Sequence, residues 1–273
     1  MNEQQRKTIL KETFDTVAPG YDSRPLRFFP ESARQLAACL DLRGDETVLD
    51  VATGTGHAAL AVATRVPRGR VTGVDFSTGM LDQAARKAAS LNIRNVDFLE
   101  RDMEDLGFPA GCFDAAICSF GIFFAMDMAA QLSRIAQTVR PGGQVALSGF
   151  QENYFHPLKD LMVKRLSGYG VEPPPPNWKR IATEAGCKEL FAKAGMDDVR
   201  VELRNVGYFL DNADAWWEVV WNAGFRRLIS PLPPEDRERF KREHLQEVAG
   251  LATKDGIWLD VGVLFAIGTK PGR

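Results

Sequence analysis

The 273-residue sequence predicts an α/β protein with a doubly wound, mostly parallel sheet, and three observations carry that expectation. Strand-like runs alternate with helix-like segments through the first 150 residues. A glycine turn joins the first strand to a helical pattern in VLDVATGTGHAAL (48–60). A stop signal, RPGG (140–143), closes an amphipathic helix and opens another β-rich run, QVALSGF. Alternation of this kind calls for parallel strands covered by helices on both faces through right-handed crossovers.

Taken in order, TVLDVA (47–52) is a run of β-formers, and a helical pattern follows from Gly56 to Val66. RVTGVD (70–75) predicts a second strand. Next comes STGMLDQAARKAASL (77–91), where Met80, Leu81, Ala84, Ala85 and Ala88 recur at helical spacing and Ser77 suits the N-cap. NVDFLE (95–100) and FDAAICS (113–119) predict two more strands. DMAAQLSRIAQTV (127–139) sets Leu132, Ile135, Ala136 and Val139 on one helical face. Beyond residue 150 the character changes. Residues 153–180 carry four consecutive prolines and read as an excursion, CKELFAKAGM (187–196) as helix, and VRVELRNVGYFL (199–210) as one strand. Residues 212–253 read as two helices broken at SPLPP, and GIWLDVGVLFAIGTKP (256–271) as one final strand. The expected organisation is a single domain over 1–273 with insertions at 151–182 and 211–255 forming a helical lid over the substrate.

Composition narrows the partners. Hydrophobic residues make up 45% and charged residues 26%, ordinary for a globular chain, and the formal charge of −2 offers no attraction to nucleic acid or an anionic membrane. Cys39, Cys112, Cys118 and Cys187 show no C-x-x-C spacing, and three of them sit in apolar surroundings and read as buried thiols that fit a reducing compartment; with three histidines, no metal site is expected. MNEQQRKTIL lacks a signal-type apolar core, and no apolar run approaches the roughly 18 residues of a membrane span. A cytoplasmic protein with a small-molecule ligand is the expectation; oligomeric state stays open.

The glycine turn discriminates among ligands. A phosphate-cradling P-loop needs a lysine after its glycines, and none follows here. Gly54, Gly56 and Ala59 do satisfy the dinucleotide pattern G-x-G-x-x-[GA], with Asp75 downstream. Asp50 argues against it. Four residues before Gly54, its carboxylate faces the mouth of the turn, where it repels a pyrophosphate and attracts a ligand bearing an ammonium and a sulfonium.

VLDVATGTGHAAL resembles the first signature of the class I S-adenosylmethionine (SAM)-dependent methyltransferases. VTGVDFSTGML resembles their second, ERDMEDLGFPAGCFDAAICSFGIFF their third and fourth, and RPGGQVALSGF the turn into their fifth strand. FDTVAPGYD is similar to the entry segment of the UbiE-like, quinone-biosynthesis branch, from which the chain departs after residue 150. The resemblance implies a Rossmann-like, seven-stranded sheet whose last strand is antiparallel, SAM as cofactor, and methyl transfer to carbon or oxygen of a small-to-medium apolar or aromatic acceptor. Alternatives left open are a SAM-binding protein that does not methylate and an NAD-dependent oxidoreductase.

Carried onto this chain, the resemblance assigns Asp50 to the methionine end of the cofactor, with Ala52, Gly54, Thr55 and Gly56 allowing close backbone approach. Asp75 takes the ribose diol, Phe76 and Met80 pack the adenine, and Asp102 accepts its amino group beside the Met103 backbone. Ser119 begins the loop beneath the cofactor, and Tyr21 is a candidate to close over it. Two aromatic groups are candidates for the acceptor pocket: Phe120, Phe123 and Phe124 after the fourth strand, and Trp217, Trp221 and Phe225, spaced to share one helical face. His156, just past the fifth strand, is the candidate base. His57 on a first helical turn and His244 among charges are both expected to face solvent.

Overall fold

The computed structural model describes residues 3–173 and 177–272; three of the four consecutive prolines, 174–176, lie outside them. In chain order the helices are α1 (Glu3–Val17), α2 (Phe28–Ala38), α3 (His57–Ala63), α4 (Thr78–Ser90), α5 (Met128–Thr138), α6 (Leu158–Ser167), α7 (Glu184–Lys193), α8 (Ala213–Trp221), α9 (Arg226–Ile229) and α10 (Pro234–Ala249). The strands are β1 (Thr47–Val51), β2 (Arg70–Asp75), β3 (Val96–Glu100), β4 (Phe113–Ser119), β5 (Val139–Phe150), β6 (Asp197–Asn205), β7 (Tyr208–Leu210), β8 (Ile257–Leu259) and β9 (Gly262–Thr269). The chain divides into two compact units. One, the sheet unit, holds Phe29–Glu152, Asn177–Arg204 and Val263–Arg273; the other, the helical unit, holds Met1–Phe28, Asn153–Pro176 and Asn205–Gly262. Among the described residues no helix is long and apolar enough to cross a membrane.

The sheet unit carries seven strands in the order β3-β2-β1-β4-β5-β9-β6. β1 through β5 pair in parallel, and β9 runs antiparallel to β5 from Gln144↔Thr269 to Phe150↔Val263. The central strands are apolar on both faces, as burial beneath two helical layers demands: Val48, Leu49 and Val51 of β1 and Ala116, Ile117 and Cys118 of β4 have no exposed surface. Side-chain caps start α4 and α5. The Ser77 hydroxyl accepts the Met80 N–H at 3.2 Å, and the Asp127 carboxylate accepts those of Ala129 and Ala130 at 3.0 Å, caps worth about 1 kcal/mol each. β5 begins earlier than the run QVALSGF suggests. Phe113 pairs with Val139 and Ala115 with Gln144, so RPGG forms a bulge within the strand opposite Asp114. A Cβ on Gly143 would stand 2.3 Å from the Asp114 carbonyl oxygen, which only glycine avoids.

In the helical unit the expected single strand over 199–210 ends at Asn205, and β7 pairs antiparallel with β8 in a separate two-stranded ribbon. The final strand expected over 256–271 likewise splits into β8 and β9. Side chains cause the interruption. Asn205 accepts the Gly207 N–H at 2.7 Å and donates to the Asp260 carboxylate at 2.5 Å, replacing ladder hydrogen bonds at the break. The segment 212–253 forms three helices rather than two, because α8 stops at Trp221 and the short α9 intervenes before SPLPP. Trp216, Phe240 and His244 are fully buried at the centre of this unit. Arg165 of α6 reaches Glu243 at 2.5 Å and Glu247 at 2.6 Å on α10.

Candidate functional site

β1 lies between β2 and β4, whose connections leave in opposite directions, so its carboxyl end opens at a topological switch point. The glycine turn sits there. The Thr53 N–H donates to the Val74 carbonyl and the Gly56 N–H to that of Thr53, each at 2.9 Å. Both glycines adopt left-handed backbone, Gly54 at φ +54° and Gly56 at φ +81°, but for different ends. A Cβ on Gly56 would come within 2.9 Å of Ala84 and 3.1 Å of Phe98, so that glycine lets α3 pack closely. A Cβ on Gly54 would meet nothing within 4 Å: its backbone borders open space, the cradle a ligand needs.

Two carboxylates flank the turn. Asp50 is fully buried; the Thr53 hydroxyl donates to its Oδ2 at 2.5 Å, and its Oδ1 is buried without a hydrogen bond of normal geometry. Burial raises its pKa to about 7. The Thr53 hydroxyl and the nearby Ala59 N–H pull it down, and the like charge of Asp75 pushes it up again. Asp75, also buried, accepts the Gly54 N–H on Oδ2 at 2.8 Å and the Ser77 N–H on Oδ1 at 2.9 Å. It thereby ties the turn to the start of α4.

Backbone strain gathers at the same edge. Ala52 (φ +55°) ends β1 and Phe120 (φ +53°) follows β4, both in the left-handed region that disfavours side chains. They belong to one junction, since a Cβ on Gly121 would stand 2.7 Å from that of Ala52.

Of the remaining sequence-derived residues in this unit, Met80 is buried on α4, Phe76 is half-buried, and Thr55 is buried within the turn. The Lys87 ammonium lies 3.2 Å from the Thr55 hydroxyl and 3.2 and 3.3 Å from the His57 ring nitrogens, so His57 is half-buried against α4 rather than freely solvated. Asp102 and Met103 stand in a turn closed by Asp105 N–H to Asp102 carbonyl at 2.9 Å. The Ser119 and Ser148 hydroxyls are 2.9 Å apart. Phe120 packs on Phe29 and Phe150 at centroid distances of 5.4 and 4.5 Å, and Phe123 on Phe124 at 4.9 Å. The sequence reading missed Thr53 and Gln131, whose side chains bond to Asp50 and to the Met103 carbonyl. A threonine three residues after a strand-end carboxylate is a usable signal; a polar residue on a helix's apolar face is another.

The other candidates belong to the helical unit. Tyr21 is half-buried beyond α1. Trp217 and Trp221 stack at 5.6 Å with planes 15° apart, and the Arg226 guanidinium lies 4.4 Å over Trp221. Phe225 does not share their helical face: α8 has already ended, and its ring pairs with Phe155 at 6.2 Å. His156 is exposed, its Nδ1 2.6 Å from Asp160 Oδ2. His244 corrects the expectation of a solvent-facing residue. It shares a buried stripe with Phe240 and Val248 at i, i+4 and i+8, so the charges around it lie on the other faces of α10. Its Nε2 accepts the Trp216 indole N–H at 2.8 Å, and burial lowers its pKa to about 4.

A doubly wound sheet with a glycine turn at its switch point and carboxylates on both sides marks a ligand-binding α/β protein. Comparison with known proteins narrows this. Residues 48–143 match the family model of a methyltransferase domain. Aklanonic acid methyltransferase DauC of Streptomyces sp. (strain C5) is 30% identical over 211 residues, 76% of this chain and 95% of that protein. Nocamycin O-methyltransferase of Saccharothrix syringae is 28% identical over 272 residues, 93% of this chain and 96% of that one. The C-methyltransferase UbiE of Syntrophotalea carbinolica is 37% identical over 143 residues, 51% of this chain and 60% of that protein. The chain belongs to the class I SAM-dependent methyltransferases, on their UbiE-like branch, and its cofactor is SAM. The YcgJ protein of Bacillus subtilis shares the fold, with a TM-score of 0.60 at 21% identity over 88% of this chain and 98% of that one.

Proposed function

We propose that the chain methylates a carbon or oxygen of a small-to-medium apolar or aromatic molecule, with SAM held at the β1 turn. The observation that carries the cofactor reading is the buried Asp50 Oδ1, without a hydrogen bond of normal geometry, on the strand that leads into the open turn at Gly54. A desolvated carboxylate in that state is stabilised by a cationic ligand group and destabilised by a phosphate. In this reading Asp50 holds the ammonium, with the Ala52–Gly56 backbone alongside. Asp75 takes the ribose diol, Phe76 and Met80 pack the adenine, Asp102 and the Met103 N–H meet its polar edge, and the Ser119 backbone opens the loop below. When bound, SAM supplies a methyl group already activated by its sulfonium. The chain's own work is alignment, exclusion of water and, for a protonated nucleophile, a base.

His156 is the candidate base: with Nδ1 engaged by Asp160, Nε2 is the atom to take the proton. Phe120, Phe123 and Phe124 in the sheet unit, and Trp217, Trp221 and Phe225 in the helical unit, each offer aromatic surface of the kind a flat apolar acceptor binds. Relatives named for aklanonic acid, nocamycin and the quinones support that acceptor class. Roles for Tyr21 and for the insertions 151–182 and 211–255 in covering the ligands rest on the sequence pattern. Free thiols at Cys39, Cys112, Cys118 and Cys187 support a reducing, cytoplasmic setting.

Calorimetry with S-adenosylhomocysteine tests the site. The wild type binds it, and Asp75→Ala loses about 1–3 kcal/mol through missing charge-assisted hydrogen bonds. An unchanged dissociation constant removes Asp75 from the site, and no binding by the wild type rejects the reading. Turnover of labelled methyl with a metabolite extract then identifies the acceptor.

A further inference from the structure

Gln131 stands where an amphipathic helix calls for an apolar residue. It shares the buried face of α5 with Met128, Leu132 and Ile135 and has no exposed surface. Burying a primary amide is costly unless its polar atoms are paired. Here they are: Nε2 donates to the Met103 carbonyl, and Oε1 accepts from Arg134 at 3.3 Å. The carbonyl that Gln131 grips belongs to the Met103–Glu104 peptide. The N–H of that same peptide, on Glu104, donates to Asp102 Oδ1 at 2.9 Å. One peptide plane is thus clamped at both ends, by a core amide on its oxygen and by the Asp102 carboxylate on its nitrogen. Pulling on the carbonyl polarises the amide and strengthens the bond from its N–H, so the orientation of the carboxylate is set from inside the core.

We propose that Gln131 is a positioning residue that sets the adenine selectivity of the cofactor site, acting through the Met103–Glu104 peptide on the Asp102 carboxylate. The inference rests on the reading of Asp102 as the partner of the adenine amino group. A carboxylate held in place rewards an amino donor and repels a carbonyl oxygen at the same position of the base. A carboxylate free to swing loses the reward and much of the repulsion.

The experiment compares S-adenosylhomocysteine with S-inosylhomocysteine, which carries an oxygen where adenine has its amino group, by calorimetry on the full-length chain. The wild type favours the adenosyl compound by more than about tenfold. Gln131→Met keeps the side-chain length and removes the donor; it weakens adenosyl binding about five- to tenfold while inosyl binding stays within about twofold, so the ratio contracts. Gln131→Leu, which also lacks the donor, contracts it too and serves if the first variant melts early. In an Asp102→Asn background, Gln131→Met leaves the ratio where it is, because the two residues act in series. Equal weakening of both ligands, or an unchanged ratio, overturns the proposal. A wild type that binds both ligands equally overturns it through Asp102. A wild type that binds neither shows that the cofactor reading itself has failed.

Discussion

At the scale of single residues, burying the Asp50 carboxylate costs the fold stability, a cost that the proposed role in holding a cation would account for. Its folded pKa of about 7 lies well above the ordinary aspartate value of 3.8, so the fold holds a proton that the unfolded chain releases. The resulting contribution to stability is complete below pH 3.8 and is lost as pH rises through 7, a span on the order of 4 kcal/mol. A cationic ligand needs the opposite, ionised state. Affinity for S-adenosylhomocysteine should therefore climb with pH up to about 7 and level off above it, whereas Asp50→Asn should bind weakly with no such slope and melt several degrees higher at pH 8. Titration at pH 5.5, 7 and 8.5 checks both; a pH-independent wild type contradicts the account. Asp50, Asp75 and the two glycines were legible in the sequence because a strand, a turn and a helix cap are local signals. The strain at Ala52 and Phe120 was not, since it arises where the ends of β1 and β4 crowd together.

At the scale of elements, α10 shows what local pattern hides. Its charged residues mask a one-sided apolar stripe, and only packing turns His244 inward to accept the Trp216 indole N–H. The folded pKa of about 4 lies below the ordinary imidazole value of 6.5, so the unfolded chain takes up the proton first. Stability is intact above pH 6.5 and declines as pH falls toward 4, by roughly 3 kcal/mol if nothing relaxes. Thermal melts followed by Trp fluorescence should show that decline, and His244→Phe should flatten it; a variant that declines as steeply as wild type places the acid sensitivity elsewhere. The strand breaks at Asn205–Gly207 and at Asp260 escaped the sequence for a related reason. The residues that end each run bond to one another across about fifty intervening positions, which no periodicity within either run reports.

At the scale of the whole molecule, the order β5-β9-β6 places the last strand of the chain inside the sheet rather than at its rim. A chain ending at Asp255 loses β8 and β9, leaving β5 with a raw apolar edge at Val145 and Leu147 and β6 with no neighbour. Size-exclusion chromatography and circular dichroism should find it aggregated and without a cooperative melt. A chain ending at Lys270, which keeps the ammonium-to-Val139 carbonyl bond at 2.6 Å, should melt like the full length. A soluble, cooperatively melting Asp255 truncation would show that β9 is dispensable.

That interior berth for the terminal strand also governs how the polypeptide comes into being. During synthesis, β1 to β5 emerge long before the segment that completes them, and they wait with one flank uncovered while more than a hundred further residues are made. The sheet thus stays incomplete until residues 262–269 have been made. Until then the open flank of β5 is free to pair wrongly with another strand.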